Sequence, residues 1–242
     1  VDNLIKSAIP KDHIYKTGNT VIDALLHTVE NNKTDLSYIG LNPELKTILL
    51  TSHRRENFGE PIRNICKAVL ELVEKNKDIQ VVYPVHLNPN VQKPVKELLN
   101  GKERIYLIEP MEYAPFSSLM KEANIIMTDS GGVQEEAPSL GKPVLVLRST
   151  TERPEAVEYG TVEPTYKFPL SIGASGEMSL QVKDSKKLLV KLVGTDKDKI
   201  VAEVQNLLDN ETEYKKMSEA SNPYGDGLAS KRITDIIIKE LG

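Results

Sequence analysis

The run Thr128-Asp129-Ser130-Gly131-Gly132-Val133-Gln134-Glu135-Glu136 is the strongest chemical signal in the chain. It follows an apolar stretch that reads as a strand and opens a stretch that reads as a helix. Such a turn aims free backbone N–H groups, and the positive end of a helix dipole, at whatever lies in front of it. Gly131 and Gly132 remove side chains that would keep a phosphate from the backbone, and Ser130 adds a hydroxyl donor. Glu136 falls one turn into the helix, where a carboxylate can accept hydrogen bonds from sugar hydroxyls beside the phosphates. The chemistry favoured is the holding of a diphosphate. The same residues also suit a plain turn, with Ser130 as cap and the acidic residues complementing the dipole.

Four further blocks carry suspicious residue types. His53-Arg54-Arg55-Glu56-Asn57-Phe58-Gly59 sets two arginines beside a histidine, fixed and titratable positive charge suited to phosphate and a departing nucleotide. It reads equally as a solvated loop whose Glu56 pairs with an arginine. In Tyr83-Pro84-Val85-His86, the histidine is either a ligand contact or a satisfied structural residue. The loop Glu109–Phe116 offers Tyr113 and Phe116 as faces for a base to lie against, or as an aromatic staple for the next helix. Arg148-Ser149-Thr150-Thr151-Glu152-Arg153-Pro154-Glu155 adds a second arginine cluster, with Arg153 a binding candidate.

What must position these residues is a parallel sheet. Near-continuous apolar runs at Thr47–Thr51, Ile79–Tyr83, Ile105–Ile108, Ile125–Thr128 and Val144–Leu147 are expected of strands covered on both faces. Helix-period runs alternate with them, most clearly Glu60–Lys75, where Ile62, Ile65, Cys66, Val69, Leu72 and Val73 share one face. This alternation predicts an α/β fold with a doubly wound, Rossmann-like parallel sheet. Every block above then stands at a strand's carboxyl end, where ligands bind in such sheets. Further helices are predicted over Val21–Glu30, Asp196–Leu208 and Leu228–Leu241, and a loop or hairpin excursion over Thr165–Lys187.

Composition excludes several classes. With 31 basic against 35 acidic residues and a net charge of −4, the chain has no basic field for nucleic acid. Its single cysteine, Cys66, excludes an internal disulfide and fits a reducing compartment. No apolar run reaches the roughly 20 residues of a membrane span, and the start has neither the basic patch nor the apolar core of a signal peptide. A cytoplasmic setting is expected. The four histidines are scattered, no Cys pair exists and no GxGxxG, Walker A or Gly-x-Ser-x-Gly motif occurs. No metal and no cofactor are expected.

Taken together and in order, these blocks resemble the C-terminal domain of the non-hydrolysing UDP-N-acetylglucosamine 2-epimerases. The segments that carry the resemblance are Thr17–Asp23, His53–Asn57, Tyr83–His86, Asp129–Pro138, Thr151–Glu155 and Ser221–Gly227. The resemblance implies a GT-B-type domain, one of two that enclose a UDP-sugar. It implies inversion at C2 of UDP-GlcNAc to give UDP-ManNAc, by elimination of UDP and its re-addition. Carried over by position, Ser130, Gly131 and Gly132 would hold the diphosphate, Glu136 the ribose, and His53 would be catalytic beside the leaving diphosphate. Arg54, Asn57, His86, Tyr113, Phe116 and Arg153 would complete the substrate contacts, Arg54 and His86 resembling positions for a second, activating UDP-GlcNAc.

Against that pattern, residues 1–32 read as a hinge segment and first helix, 33–220 as the UDP-binding domain and 221–242 as a helix crossing back. The family's N-terminal catalytic domain has no counterpart here, and the absence of an initiator methionine suggests a cut start. Turnover by the chain alone is therefore not expected. Residues 164–189 form an unfamiliar insertion, and the last helix's apolar face leads to an expectation of self-association. Two other readings stay open: a GT-B glycosyltransferase domain and a non-catalytic module that binds UDP-sugar.

Overall fold

The computed structural model of the protein describes residues 1–32, 34–152 and 190–241. Its centre is a parallel sheet of β1 (Lys46–Thr51), β2 (Ile79–Pro84), β3 (Ile105–Ile108), β4 (Ile125–Thr128), β5 (Val144–Val146) and β6 (Val190–Leu192) in the order β3-β2-β1-β4-β5-β6. The chain builds outward from β1 to β3, then returns to lay β4 on the other side of β1. In register, Ile48 of β1 is paired with Val81 of β2 and with Ile125 of β4. The loops that leave β1 and β4 therefore emerge side by side, at the point where an open sheet of this kind binds ligands.

Helices cover both faces: α1 (Asp2–Lys6), α2 (Thr20–Asn31), α3 (Glu60–Lys75), α4 (Pro89–Leu99), α5 (Tyr113–Glu122), α6 (Gly131–Glu136), α7 (Lys197–Asp209), α8 (Glu211–Ser218) and α9 (Ala229–Leu241). Alternation along β1 splits the core into two. Ile48 and Leu50 pack with residues of α3, α4 and α7, while Leu49 packs with Leu25 of α2 and with Leu119 and Met120 of α5. Each such side chain, fully buried, contributes roughly 1.5–3 kcal/mol. Helix α3 begins with Pro61 in its first turn and buries Ile62, Ile65, Cys66, Ala68, Val69, Leu72 and Val73 on one stripe. Its final carbonyls are capped from outside: the Arg104 guanidinium donates to Val73 O and Asn76 O at 2.6 and 2.7 Å.

The five expected strands match the observed ones closely, except that β5 stops at Val146, and a short sixth strand, β6, follows. Beyond β6, Gly194 turns the chain with φ +69°. Helix α8, not anticipated from periodicity, buries only Met217. The excursion at Thr165–Lys187 and the insertion at 164–189 lie outside the described residues.

The two ends of the chain are tied to one another and to the sheet. Asn19 N donates to Tyr224 O at 2.8 Å, and Asp23 of α2 accepts from Ala229 N and Ser230 N at the start of α9. The backbone favours glycine at Gly227, where φ is +80°, and a Cβ there would lie 2.7 Å from Leu26 Cδ1, which would have to shift. In α9, Ala229 is buried while Ile237 and Ile238 are 51% and 65% exposed. Only part of that helix's apolar surface is covered.

Candidate functional site

Five consecutive strand ends deliver the candidate residues to one edge of the sheet. His53, Arg54 and Asn57 follow β1, His86 follows β2, Tyr113 and Phe116 open α5 after β3, Ser130 to Glu136 follow β4, and Arg148 follows β5. Arg153 lies outside the described residues.

Behind the site is a seam between β1 and β4. Thr51 and Thr128 share a hydrogen bond between their hydroxyls at 2.7 Å, and Asp129 N donates to Thr51 O at 3.2 Å. Asp129 itself has no solvent exposure. Its Oδ2 accepts from Ser52 Oγ (2.8 Å), His53 N (2.9 Å), Arg54 N (2.9 Å) and Asn57 Nδ2 (2.9 Å). A buried carboxylate must be satisfied in this way, or its desolvation would cost several kcal/mol. The effect is to pull the whole His53–Asn57 loop onto the β4 loop. Asn57 is consumed by this work, because the same amide also reaches Leu147 O at 3.2 Å.

At the strand edge the His53 and His86 rings stack with centroids 5.5 Å apart and an interplanar angle of 19°. His86 Nδ1 accepts from Asn88 N at 3.1 Å, and Arg54 Nε is buried with no hydrogen-bond partner. Glu56 is held by an arginine, as one reading of that loop expected. Arg148 Nε stands 2.8 Å from Glu56 Oε1, an ion pair without hydrogen-bond alignment, while its two terminal nitrogens donate to Glu152 at 2.7 and 2.9 Å. That pairing is the main reason the Glu152 carboxyl is lowered to about 2.

The β4 loop has the form expected of an anion cradle. Ser130 caps α6 without turning its hydroxyl onto the helix, and its own N–H is taken by Thr128 Oγ1 at 2.9 Å. The fold itself does not demand glycine at 132. The backbone there avoids the left-handed region, and a Cβ would meet only Ser130 Oγ, at 3.9 Å.

Glu136 is 8% exposed and accepts a hydrogen bond from the Tyr113 hydroxyl at 2.7 Å. Burial raises its carboxyl above the ordinary value, neighbouring Glu135 adds to the rise, and the Tyr113 bond opposes it. Burial first, then the same bond, pushes Tyr113 up to about 12. Phe116 lies half-buried against the core on the α2–α5 side, so packing occupies part of its ring. Helix α6 is braced from behind: Asn19 Nδ2 donates to Glu135 Oε2 at 2.8 Å, and Asn222 Nδ2 donates to Glu135 O and Ser139 Oγ at 2.7 and 2.6 Å. Sequence reasoning gave no role to Asp129, Asn19 or Asn222. The only local hint was their place inside distinctive blocks.

A cavity of about 680 Å³, lined among others by Asp35, Asn42, Lys46, Gln80 and Asn124, lies at the opposite, N-terminal ends of the strands. It holds none of the candidate residues.

A doubly wound parallel sheet whose switch point carries a histidine–arginine loop beside a Ser-Gly-Gly turn and a buried glutamate defines a Rossmann-like α/β domain. The UDP-N-acetylglucosamine 2-epimerase family model matches residues 1–166 and 182–238, and the chain belongs to that family. A UDP-N-acetylglucosamine 2-epimerase of Campylobacter jejuni is 50% identical over 249 residues, covering 98% of this chain and 58% of that protein. Among solved structures, a UDP-GlcNAc 2-epimerase from Neisseria meningitidis bound to UDP-GlcNAc superposes with a TM-score of 0.79 at 43% identity, over 98% of this chain and 58% of the other. The MnaA protein of S. aureus, solved with UDP, gives 0.80 at 41%, over 99% and 58%. The chain thus spans a little over half the length of the relatives it matches. The matched spans leave residues 167–181 between them, within the stretch not described.

Proposed function

We propose that this chain provides the UDP-holding side of a UDP-N-acetylglucosamine 2-epimerase, which interconverts UDP-GlcNAc and UDP-ManNAc. In the proposed reaction the bond between sugar C1 and the β-phosphate oxygen breaks, and UDP departs with the electron pair. The C2 proton is lost, and UDP adds back after the proton returns on the opposite face. The Ser130 hydroxyl and the backbone N–H groups of Gly131 and Gly132 would hold the diphosphate, and Glu136 would accept from the ribose hydroxyls. His53, beside Arg54, would stabilise the charge that develops on the departing diphosphate. Asn57 would act from beneath, by fixing that loop. His86, Tyr113, Phe116 and Arg153 are proposed as further contacts to the UDP-sugar, and exposed Ile237 and Ile238 favour self-association. None of these residues is assigned the movement of the C2 proton.

The single observation that carries the proposal is the cleared space over Gly132, flanked by the unengaged Ser130 hydroxyl and buried Glu136. Isothermal titration of UDP into the chain tests it, repeated with Ser130→Ala and Glu136→Ala. Loss of a charge-assisted hydrogen bond of about 1.5–3 kcal/mol predicts a roughly 10- to 100-fold weaker Kd in each variant. No measurable UDP binding by the unaltered chain, or variants that bind as well as it does, would refute the assignment.

A further inference from the structure

The geometry points to Asp129 as the positioning residue that fixes the His53 imidazole, by holding Nδ1 in its protonated form and leaving Nε2 as the nitrogen free to face a ligand. The inference rests on the proposed place of His53 beside the leaving diphosphate, but its structural content stands apart from that reading.

A carboxylate offers about four lone-pair positions, two on each oxygen. Asp129 Oδ2 is saturated by its four donors, whereas Oδ1 receives only a longer, shared bond from His53 N at 3.2 Å. The unused capacity of Oδ1 faces His53 Nδ1 at 3.6 Å. That separation is too long for a hydrogen bond, and the His53 side chain, 39% exposed, is not enclosed in the core. Contacts of this kind are commonly loose until a ligand is present. Asp129 itself is fixed by Ser52, His53, Arg54 and Asn57. An acceptor that is immobile, buried and partly unsatisfied selects the tautomer that donates to it, because the other would set a lone pair against the carboxylate.

The neighbouring ring supplies an internal contrast. His86 Nδ1 already accepts the backbone N–H of Asn88, so its proton must sit on Nε2. The two stacked imidazoles are therefore assigned opposite tautomers. For His53 this matters chemically: with the Nδ1 proton held toward the carboxylate, Nε2 is the one nitrogen left to take up a proton, and only as the imidazolium does it donate to the diphosphate.

Two-dimensional nitrogen–proton correlation of the imidazole rings tests this on the intact chain. The spectra are taken at about pH 9, well above the ordinary imidazole value near 6.5, and assigned with His53→Gln and His86→Gln. The expected spectrum shows Nδ1 of His53 in the protonated range and Nδ1 of His86 in the unprotonated range. In Asp129→Asn, His53 is expected to lose that majority while His86 keeps its tautomer. A wild-type His53 carrying its proton mainly on Nε2 would overturn the inference whether or not the variant folds. So would a folded Asp129→Asn chain with His53 unchanged. UDP is absent from these samples, so a failed UDP titration would refute the proposed function and leave the tautomer result to decide the inference.

Discussion

Gly132→Ala separates a glycine kept for the fold from a glycine kept for a ligand. At most glycines the two reasons are entangled, but here the fold makes no demand. The residue does not occupy the left-handed region, and the added Cβ would meet only Ser130 Oγ at an ordinary 3.9 Å. Alanine also suits a helical position better than glycine, by up to about 1 kcal/mol in a helix interior and less in a first turn. Stability should therefore hold or rise slightly, with Tm unchanged or higher by up to about 4 °C for a domain of this size.

Binding should move the other way. A methyl over the loop pushes a bound phosphate away from the backbone donors, and losing one charge-assisted bond costs about 1.5–3 kcal/mol. The expected loss in UDP affinity is roughly 10- to 100-fold. Thermal unfolding and calorimetric titration on the same sample measure both quantities. Unchanged affinity in a folded variant would show that no phosphate lies over Gly132. A Tm lower by several degrees would show that the fold needed the glycine after all, and the argument from cleared space would fail.

Two further outcomes are expected. Glu136 must be ionised to accept from ribose hydroxyls, and burial raises its carboxyl above the ordinary value. Its contribution to binding is therefore complete above that raised value and lost as pH falls through it, beginning above the usual carboxylate range. The ratio of UDP affinities between wild type and Glu136→Gln cancels the ligand's own titration, and it should shrink as pH falls toward 4; a flat ratio would contradict the role. The Cys66 thiol, buried under α3 and pushed up to about 12, should resist alkylation in the native state and react on unfolding. Rapid native labelling would show that helix α3 opens locally.

How much of this was legible in the residues depended on how far apart the partners stand. Strands β3 and β4 and helix α3 were readable end to end, because a buried parallel strand is continuously apolar and a half-buried helix repeats at fixed spacing. Helix α8 was not, since it buries only Met217 and so carries almost no stripe. The blocks of the site were visible as unusual runs at strand ends. Their internal division of labour was not. Asn57 was a ligand contact by family resemblance, yet its amide points at Asp129 and Leu147 O, 72 and 90 positions away. Asp129 had no role of its own in the sequence reading, because every group it gathers comes from the β1 loop. Local patterns reveal where polar residues collect, while tertiary pairing decides which face a ligand and which hold the others still.

That division has a consequence for how the site is made ready. Because β1 and β4 are direct neighbours in the sheet, the histidine loop and the glycine turn are joined by short bonds through Asp129 and the Thr51–Thr128 pair. Behind α6, Asn19 and Asn222 tie the turn to the two ends of the chain. On the proposed reading, a ligand meeting this face finds the backbones of the glycine turn and the histidine loop already set at fixed separation, so little ordering entropy is charged to binding. The parts left adjustable are the ones proposed to touch the ligand: an imidazole 3.6 Å from its carboxylate and a Ser130 hydroxyl not committed to its helix. A rigid base carrying a few loose terminal groups is the arrangement expected where a bond must break without the product drifting away. It locates the preorganisation in the β1–β4 seam, so Asp129 should matter more to function than any single surface arginine.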